Sequence, residues 1–229
     1  MKRSLCLLSM GAFFALGASA KADDILQFDA PNGASGSVSY DNSSGVVTGS
    51  DIPVDVTFLS PNSYGAGSNQ VAATFSFSAD TSGTAESILG GLIEGVPVVS
   101  NVSFSLTADT AVSGDTNILS GTAESGAFSG NSTAFTLSGQ NPTDNDGIAY
   151  NSDFINVAAL DDYSFQFNFE NPNAGGGASP GVNGGVLDSF TADLGPGSFA
   201  ADAVPEPASL GLLGIGALGL CARRRRVMA

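Results

Sequence analysis

In three stretches of this 229-residue chain an apolar side chain recurs at every second position, and that period of two constrains the fold more than any other feature. Val71, Ala73, Phe75 and Phe77 alternate with Ala72, Thr74, Ser76 and Ser78. Val102, Phe104 and Leu106 alternate with Ser103, Ser105 and Thr107, and Phe165, Phe167 and Phe169 with Ser164, Gln166, Asn168 and Glu170. Successive side chains of a β-strand point to opposite faces, so this is the pattern of strands with one face buried and one wet. Helical periodicity is hard to find between residues 23 and 204. Shorter strands are expected at residues 25–29, 36–40, 53–59, 118–123, 133–138 and 187–194, and residues 87–93 read as either a helical turn or a buried strand. The spacers at 61–63, 141–147 and 172–185 carry the Gly, Pro, Asn and Asp that turns require.

About nine short strands in one body point to an all-β fold, an antiparallel β-sandwich with a jelly roll as one arrangement. Leu and Ile are scarce in this body, whereas most of the 15 phenylalanines lie in it, so Phe is expected to supply the core. Residues 175–185 are too Gly-rich to pack and are expected to form a flexible loop. The division expected is a signal peptide at 1–22, a sandwich domain at 23–194, a spacer at 195–204 and a C-terminal sorting segment at 205–229.

The distribution of charge narrows the chemistry. The formal net charge is −15, from 22 acidic and 7 basic residues. All seven basic residues lie at the ends: Lys2, Arg3 and Lys21, then Arg223, Arg224, Arg225 and Arg226. Between Asp23 and Val204 there is no Lys, Arg, His, Cys, Met or Trp, and Glu206 is the one acid outside that segment. Ser-His and Cys-His nucleophiles, Schiff-base lysines, thiolate or imidazole metal sites and arginine phosphate clamps all need residue types that the body lacks. Nucleic acid is excluded as a partner on the same ground, because binding it depends on cationic side chains that displace counterions.

Each end has the form of an address. Lys2 and Arg3 precede an apolar stretch from Leu5 to Ala18, and small residues then stand at the spacing a signal peptidase accepts, so cleavage is expected after Ala20 or Ala22. At the other end Pro205, Glu206 and Pro207 precede an apolar run at 209–222 and the block Arg223 to Arg226. As a helix that run covers about 21 Å of an about 30 Å hydrocarbon core, a marginal single transmembrane helix whose arginines fix its end on the cytoplasmic side. The two prolines keep the Pro-Glu-Pro peptide out of the helix and accessible at the membrane surface, and Glu206 offers it one charge for recognition.

This tail resembles the PEP-CTERM sorting signal of Gram-negative bacteria, on Pro205, Glu206, Pro207, the short helix and Arg223, Arg224, Arg225 and Arg226; the resemblance covers the tail alone. It implies that an exosortase, a membrane transpeptidase-like cysteine protease, recognises and removes the tail. It also implies an exported surface or matrix protein made alongside exopolysaccharide. Membrane contact is then through the C-terminal helix only, before cleavage.

The body offers few candidate sites. Asp144, Asp146 and Asp153 fall at ligand positions of a calcium loop when Gly147 is taken as its glycine, but Pro142 stands where the first acid belongs; the segment reads either as a polar Asx turn or as a calcium site. Asp161 and Asp162 share that ambiguity. Asn42, Asn101 and Asn131 open Asn-x-Ser/Thr sequons, which so Asn-, Ser- and Thr-rich a chain also produces by chance. Tyr40, Tyr64, Tyr150 and Tyr163 are open to core packing or to stacking on sugars. The function expected is a non-enzymatic exported surface or matrix protein associated with biofilm exopolysaccharide, with no cofactor unless calcium binds. The alternatives are a calcium-dependent lectin-like module and a glycosidase built on paired carboxylates.

Overall fold

The protein is described by a computed structural model covering residues 23–31, 37–59, 69–81, 85–88, 92–140 and 147–203. Its strands are β1 (Asp23–Asp29), β2 (Ser37–Asp41), β3 (Val46–Phe58), β4 (Gln70–Thr81), β5 (Glu86–Ile88), β6 (Leu92–Val112) and β7 (Asp115–Ala123). They continue as β8 (Gly126–Gly130), β9 (Ala134–Gln140), β10 (Ile148–Asn151), β11 (Leu160–Asn173), β12 (Val182–Asn183), β13 (Val186–Leu187) and β14 (Phe190–Ala203). One 3₁₀ turn at Val157–Ala159 is the sole helical element among the described residues. No helix there is long and apolar enough to cross a membrane, and the expected C-terminal transmembrane helix lies outside the described residues.

Every strand pairing is antiparallel, and the pairings close into a ring. From β11 the hydrogen bonds run to β14, β1, β3, β4, β6, β8, β9 and back to β11. Two short strands share one position in that ring: β2 and β1 lie end to end between β3 and β14. The all-β expectation therefore holds, with antiparallel strands joined by continuous hydrogen bonding into a barrel. Sequential hairpins such as β3–β4, β6–β7 and β8–β9 alternate with pairings between strands distant in sequence, such as β1–β14, β2–β14 and β11–β14.

Phenylalanine fills the interior. Phe75 and Phe77 of β4 face Phe167 and Phe169 of β11, with ring centroids 4.9 Å apart for Phe75 and Phe167 and 5.4 Å for Phe77 and Phe169. Phe104 of β6 meets Phe199 of β14 at 4.9 Å, and Phe28 of β1 meets Phe75 at 4.7 Å. Such aromatic pairs add about 0.5–1.5 kcal/mol each beyond the area they bury. The rings find room because glycines oppose them across the strands: Gly49 is the register partner of Phe77, Gly121 of Phe104, Gly139 of Phe165 and Gly197 of Phe28. A Cβ on Gly49 or on Gly121 would lie 2.5 Å from the facing ring. Phe laid over a cross-strand Gly covers backbone that the glycine leaves bare, so the glycine content belongs to the core as well as to turns.

Four of the expected segments are revised or resolved by the structure. Strand β3 begins at Val46, ahead of the expected residue 53, because a bulge at Asp51 (φ +49°) shifts the alternation: Val47 and Gly49 face inward before it, Ile52, Val54 and Val56 after it. Residues 87 and 88 end β5 and residues 92 and 93 open β6, paired as strands, not as a helical turn. In the Gly-rich segment, Val182–Asn183 and Val186–Leu187 form a small hairpin, and Asn173 Oδ1 accepts from the backbone of Gly175 and Gly177. The fourth correction matters most. Residues 195–203, expected as a spacer, are the second half of β14, where Phe199 and Ala201 are buried, Phe199 paired with Leu26 of β1 and Phe165 of β11 and Ala201 with Asp23 of β1. Gly195, Pro196 and Gly197 mark a bulge in a core strand rather than a linker.

Candidate functional site

Because β14 runs to Ala203, the sorting segment has almost no stem. Ala203 is still in register with Leu160, and Pro205 follows two residues later. The first strand starts at the same place, since Asp23 is the register partner of Ala201. The ends that lead to the two cleavage segments therefore leave the barrel side by side. Pro205, Glu206, Pro207 and Arg223 to Arg226 lie outside the described residues, as do Ala20 and Ala22.

Carboxylates gather around this exit. Asp161 pairs directly with Asp202, and Asp162 sits in a bulge at φ +50° with its N–H donating to Asp161 Oδ1 at 3.0 Å. Partial burial raises the pKa of Asp202, and the nearby charges of Asp162, Asp23 and Asp161 raise it further. Like charges directly opposite one another on neighbouring strands oppose pairing, and the body has no cation to offset them.

A second feature lies on the outer wall, where the side chains opposite the Phe core emerge. Register places Ser138 of β9, Gln166 of β11, Ser198 of β14, Gln27 of β1, Thr57 of β3 and Gln70 of β4 in one transverse row. Residues paired in this way project from the same face. Most of that row lines a groove of about 450 Å³, whose floor includes Phe28 and Gly197. Alongside it Asp29 stands directly opposite Asp55, and Asp24 lies at the rim.

Hydrogen bonds hold the amides of the groove in place. Gln27 donates to Asp24 Oδ2 at 3.0 Å, and Gln166 donates to Asn168 Oδ1 at 3.1 Å. Asn168 Oδ1 also accepts from Thr136 Oγ1 at 3.1 Å, while Asn168 Nδ2 donates to the Pro196 carbonyl at 2.7 Å. The bulge at residues 195–197 thus anchors one wall. None of these groove residues was singled out by sequence reasoning. The signal available was the polar half of each alternating pair, which becomes a surface only when the register is known.

The other sequence candidates are dispersed. Asp144 and Asp146 lie outside the described residues. Asp153 makes a reciprocal contact with Asn117 of β7: its N–H donates to the Asn117 carbonyl at 3.0 Å, and its Oδ2 accepts from the Asn117 N–H at 3.1 Å. Among the described residues no group of three or more acidic, His or Cys side chains is placed to hold a metal.

Asn42 sits in the β2–β3 turn, where its N–H donates to Ser189 Oγ at 2.9 Å. Asn101 is a left-handed residue of β6 (φ +50°) whose amide donates to Asp80 Oδ2 at 3.0 Å. Asn131 forms an Asx turn, its Oδ1 accepting from Thr133 N–H at 2.8 Å, Thr133 Oγ1 at 2.7 Å and Ala134 N–H at 3.1 Å. Tyr40 and Tyr150 are core residues. Tyr40 packs on Phe128 and Phe190, and Tyr150 packs on Phe104 while its hydroxyl donates to the Ser164 carbonyl. Burial pushes the Tyr150 pKa well up, with a smaller contribution from Tyr163. Tyr64 lies outside the described residues.

Comparison with known families matches residues 203–226 to the PEP-CTERM protein-sorting motif. The match begins at the last residue of β14, so sorting segment and barrel abut. No curated protein and no solved structure matches the chain.

Proposed function

We propose that this chain is a non-enzymatic surface or extracellular-matrix protein of a Gram-negative bacterium. Signal peptidase processes it at one end and an exosortase at the other, and it resides in an exopolysaccharide-rich layer such as a biofilm matrix. The observation that carries the reading is the sorting motif at 203–226, which bears the Pro-Glu-Pro, apolar and arginine blocks in order. The motif supports exosortase-type processing and export. The body supplies the rest of the reading. Its only polar chemistry is carboxylate, amide and hydroxyl, which suits adhesion or scaffolding in a hydrated polymer and offers no Ser-His or Cys-His pair.

Tail removal together with signal cleavage after Ala22 leaves a body without a cationic side chain, and cleavage after Ala20 leaves Lys21 alone. Nothing apolar then holds it in the bilayer, and its charge disfavours return to an anionic membrane surface. The experiment that tests the reading is fractionation of cells with and without exosortase activity. The protein is expected in the surface or matrix fraction of the first and in the inner membrane of the second. An inner-membrane location in both overturns it.

A further inference from the structure

The groove on the outer wall has a periodicity that suggests its ligand. Ser138, Gln166, Ser198, Gln27, Thr57 and Gln70 contribute one hydrogen-bonding side chain per strand across six adjacent strands. At about 4.8 Å between strands the row follows the curved wall for about 24 Å, with Ser138 just beyond the groove lining, and its step is close to the length of one sugar ring in an extended glycan. Each of these side chains is a hydroxyl or a carboxamide, groups that donate and accept in turn, as sugar hydroxyls do.

The surrounding charge selects among polymers. Asp24, Asp29 and Asp55 edge the groove, and the body has no Lys, Arg or His, so a polyanion is repelled at this surface. The amides are already fixed by Asp24, Asn168 and Thr136, which reduces the ordering cost of binding.

We propose that this transverse row is the binding track for a linear, uncharged polysaccharide, held by hydroxyl and carboxamide contacts without a metal ion. The proposal deepens the reading of the chain as a component of a polysaccharide layer and rests on it. No aromatic side chain stands up from the row to stack on a sugar face, so a short oligosaccharide binds weakly. A long chain that meets many copies of the protein binds through avidity.

The test uses the full chain in detergent and affinity electrophoresis through gels containing hydroxyethyl cellulose, galactomannan or β-1,3-glucan, with polygalacturonate and alginate as acidic counterparts and a chelator throughout. Retardation is expected in at least one neutral gel and in neither acidic gel. Gln27→Ala combined with Gln166→Ala is expected to weaken that retardation about tenfold, the scale of losing one to two neutral hydrogen bonds. Ser198→Tyr, which fills the groove while leaving both glutamines in place, weakens it similarly. Thr122→Ala, on the distant strand β7, leaves it unchanged, and all variants are checked for a native circular-dichroism spectrum.

Absence of neutral-glycan retardation overturns the proposal. So does retardation that ignores both groove variants or that appears only when calcium replaces the chelator. Correct processing without glycan binding removes the groove proposal alone, whereas glycan binding with an uncut tail removes the processing reading alone.

Discussion

Gly197 of β14 lies directly opposite Phe28 of β1, and the Phe28 ring occupies the space where a side chain at 197 would begin. Around the pair, Phe28 touches the rings of Phe75, Phe167 and Phe199. Gly197→Ala must therefore displace a ring held on several sides. The expected loss is about 1–3 kcal/mol, the usual cost of overpacking a filled core, read as a lower denaturation midpoint with an unchanged m-value. Gly175→Ala, in a turn where nothing lies within 4 Å of the added atom, tests backbone strain at φ +103° without core overpacking and should leave the near-ultraviolet aromatic signal unchanged.

The second half of β14 is part of the fold. Phe199→Ala should cost about 3–5 kcal/mol, as for other buried aromatic truncations. Deletion of residues 195–203 should abolish cooperative thermal unfolding altogether. A linker at this position would tolerate both changes, so a melting curve close to that of the parent for either variant would show β14 ending near Leu194.

The strand pattern was legible where alternation was unbroken, as at Phe165, Phe167 and Phe169, whose outward partners Gln166 and Asn168 were legible with them. It failed where a bulge changed phase. Asp51 hid the first half of β3, and Gly195, Pro196 and Gly197 hid the second half of β14 because Gly and Pro carry the same sign in a linker and in a strand bulge. The groove was illegible for a different reason. Thr57 and Gln166 are far apart in sequence, and what brings them into one row is register through Gln27 and Ser198, which depends on tertiary pairing. The sorting segment needed no tertiary information at all, since its three blocks are contiguous.

Asp202 should make the barrel more stable as pH falls through the carboxylate range. Its folded pKa is raised above the unfolded value of about 3.9, so the folded state binds more protons and stability declines as pH rises from there through the raised folded value. Asp202→Asn is expected to raise the melting temperature at neutral pH and to flatten that decline. Asp41 works in the opposite sense: hydrogen bonds from the Ser43 backbone and hydroxyl, with further bonds from Ser44, lower its pKa. Its contribution is present above the unfolded carboxylate range and lost as pH falls through the folded value, so Asp41→Asn should lower stability at neutral pH.

At high pH the buried Tyr150 takes over. Its hydroxyl ionises far less readily in the folded chain than in the unfolded one, so stability falls as pH rises beyond about 10, the range in which an unfolded tyrosine loses its proton. Ultraviolet titration should show tyrosinate appearing in step with unfolding, and Tyr150→Phe should shift that transition to higher pH.

A body with no internal cation should also respond to salt. The expected result is a higher melting temperature in ~500 mM than in ~10 mM NaCl, because the Debye length falls below about 10 Å above 0.1 M. Equal melting temperatures would mean that the carboxylates repel one another too weakly to matter.

The most direct test of the account is the intact mass of the exported protein, with sequencing of its terminal peptides. The account requires a chain that begins just after Ala20 or Ala22 and ends near Pro205–Pro207, lacking Arg223, Arg224, Arg225 and Arg226. A mature protein that still carries the four arginines would contradict it.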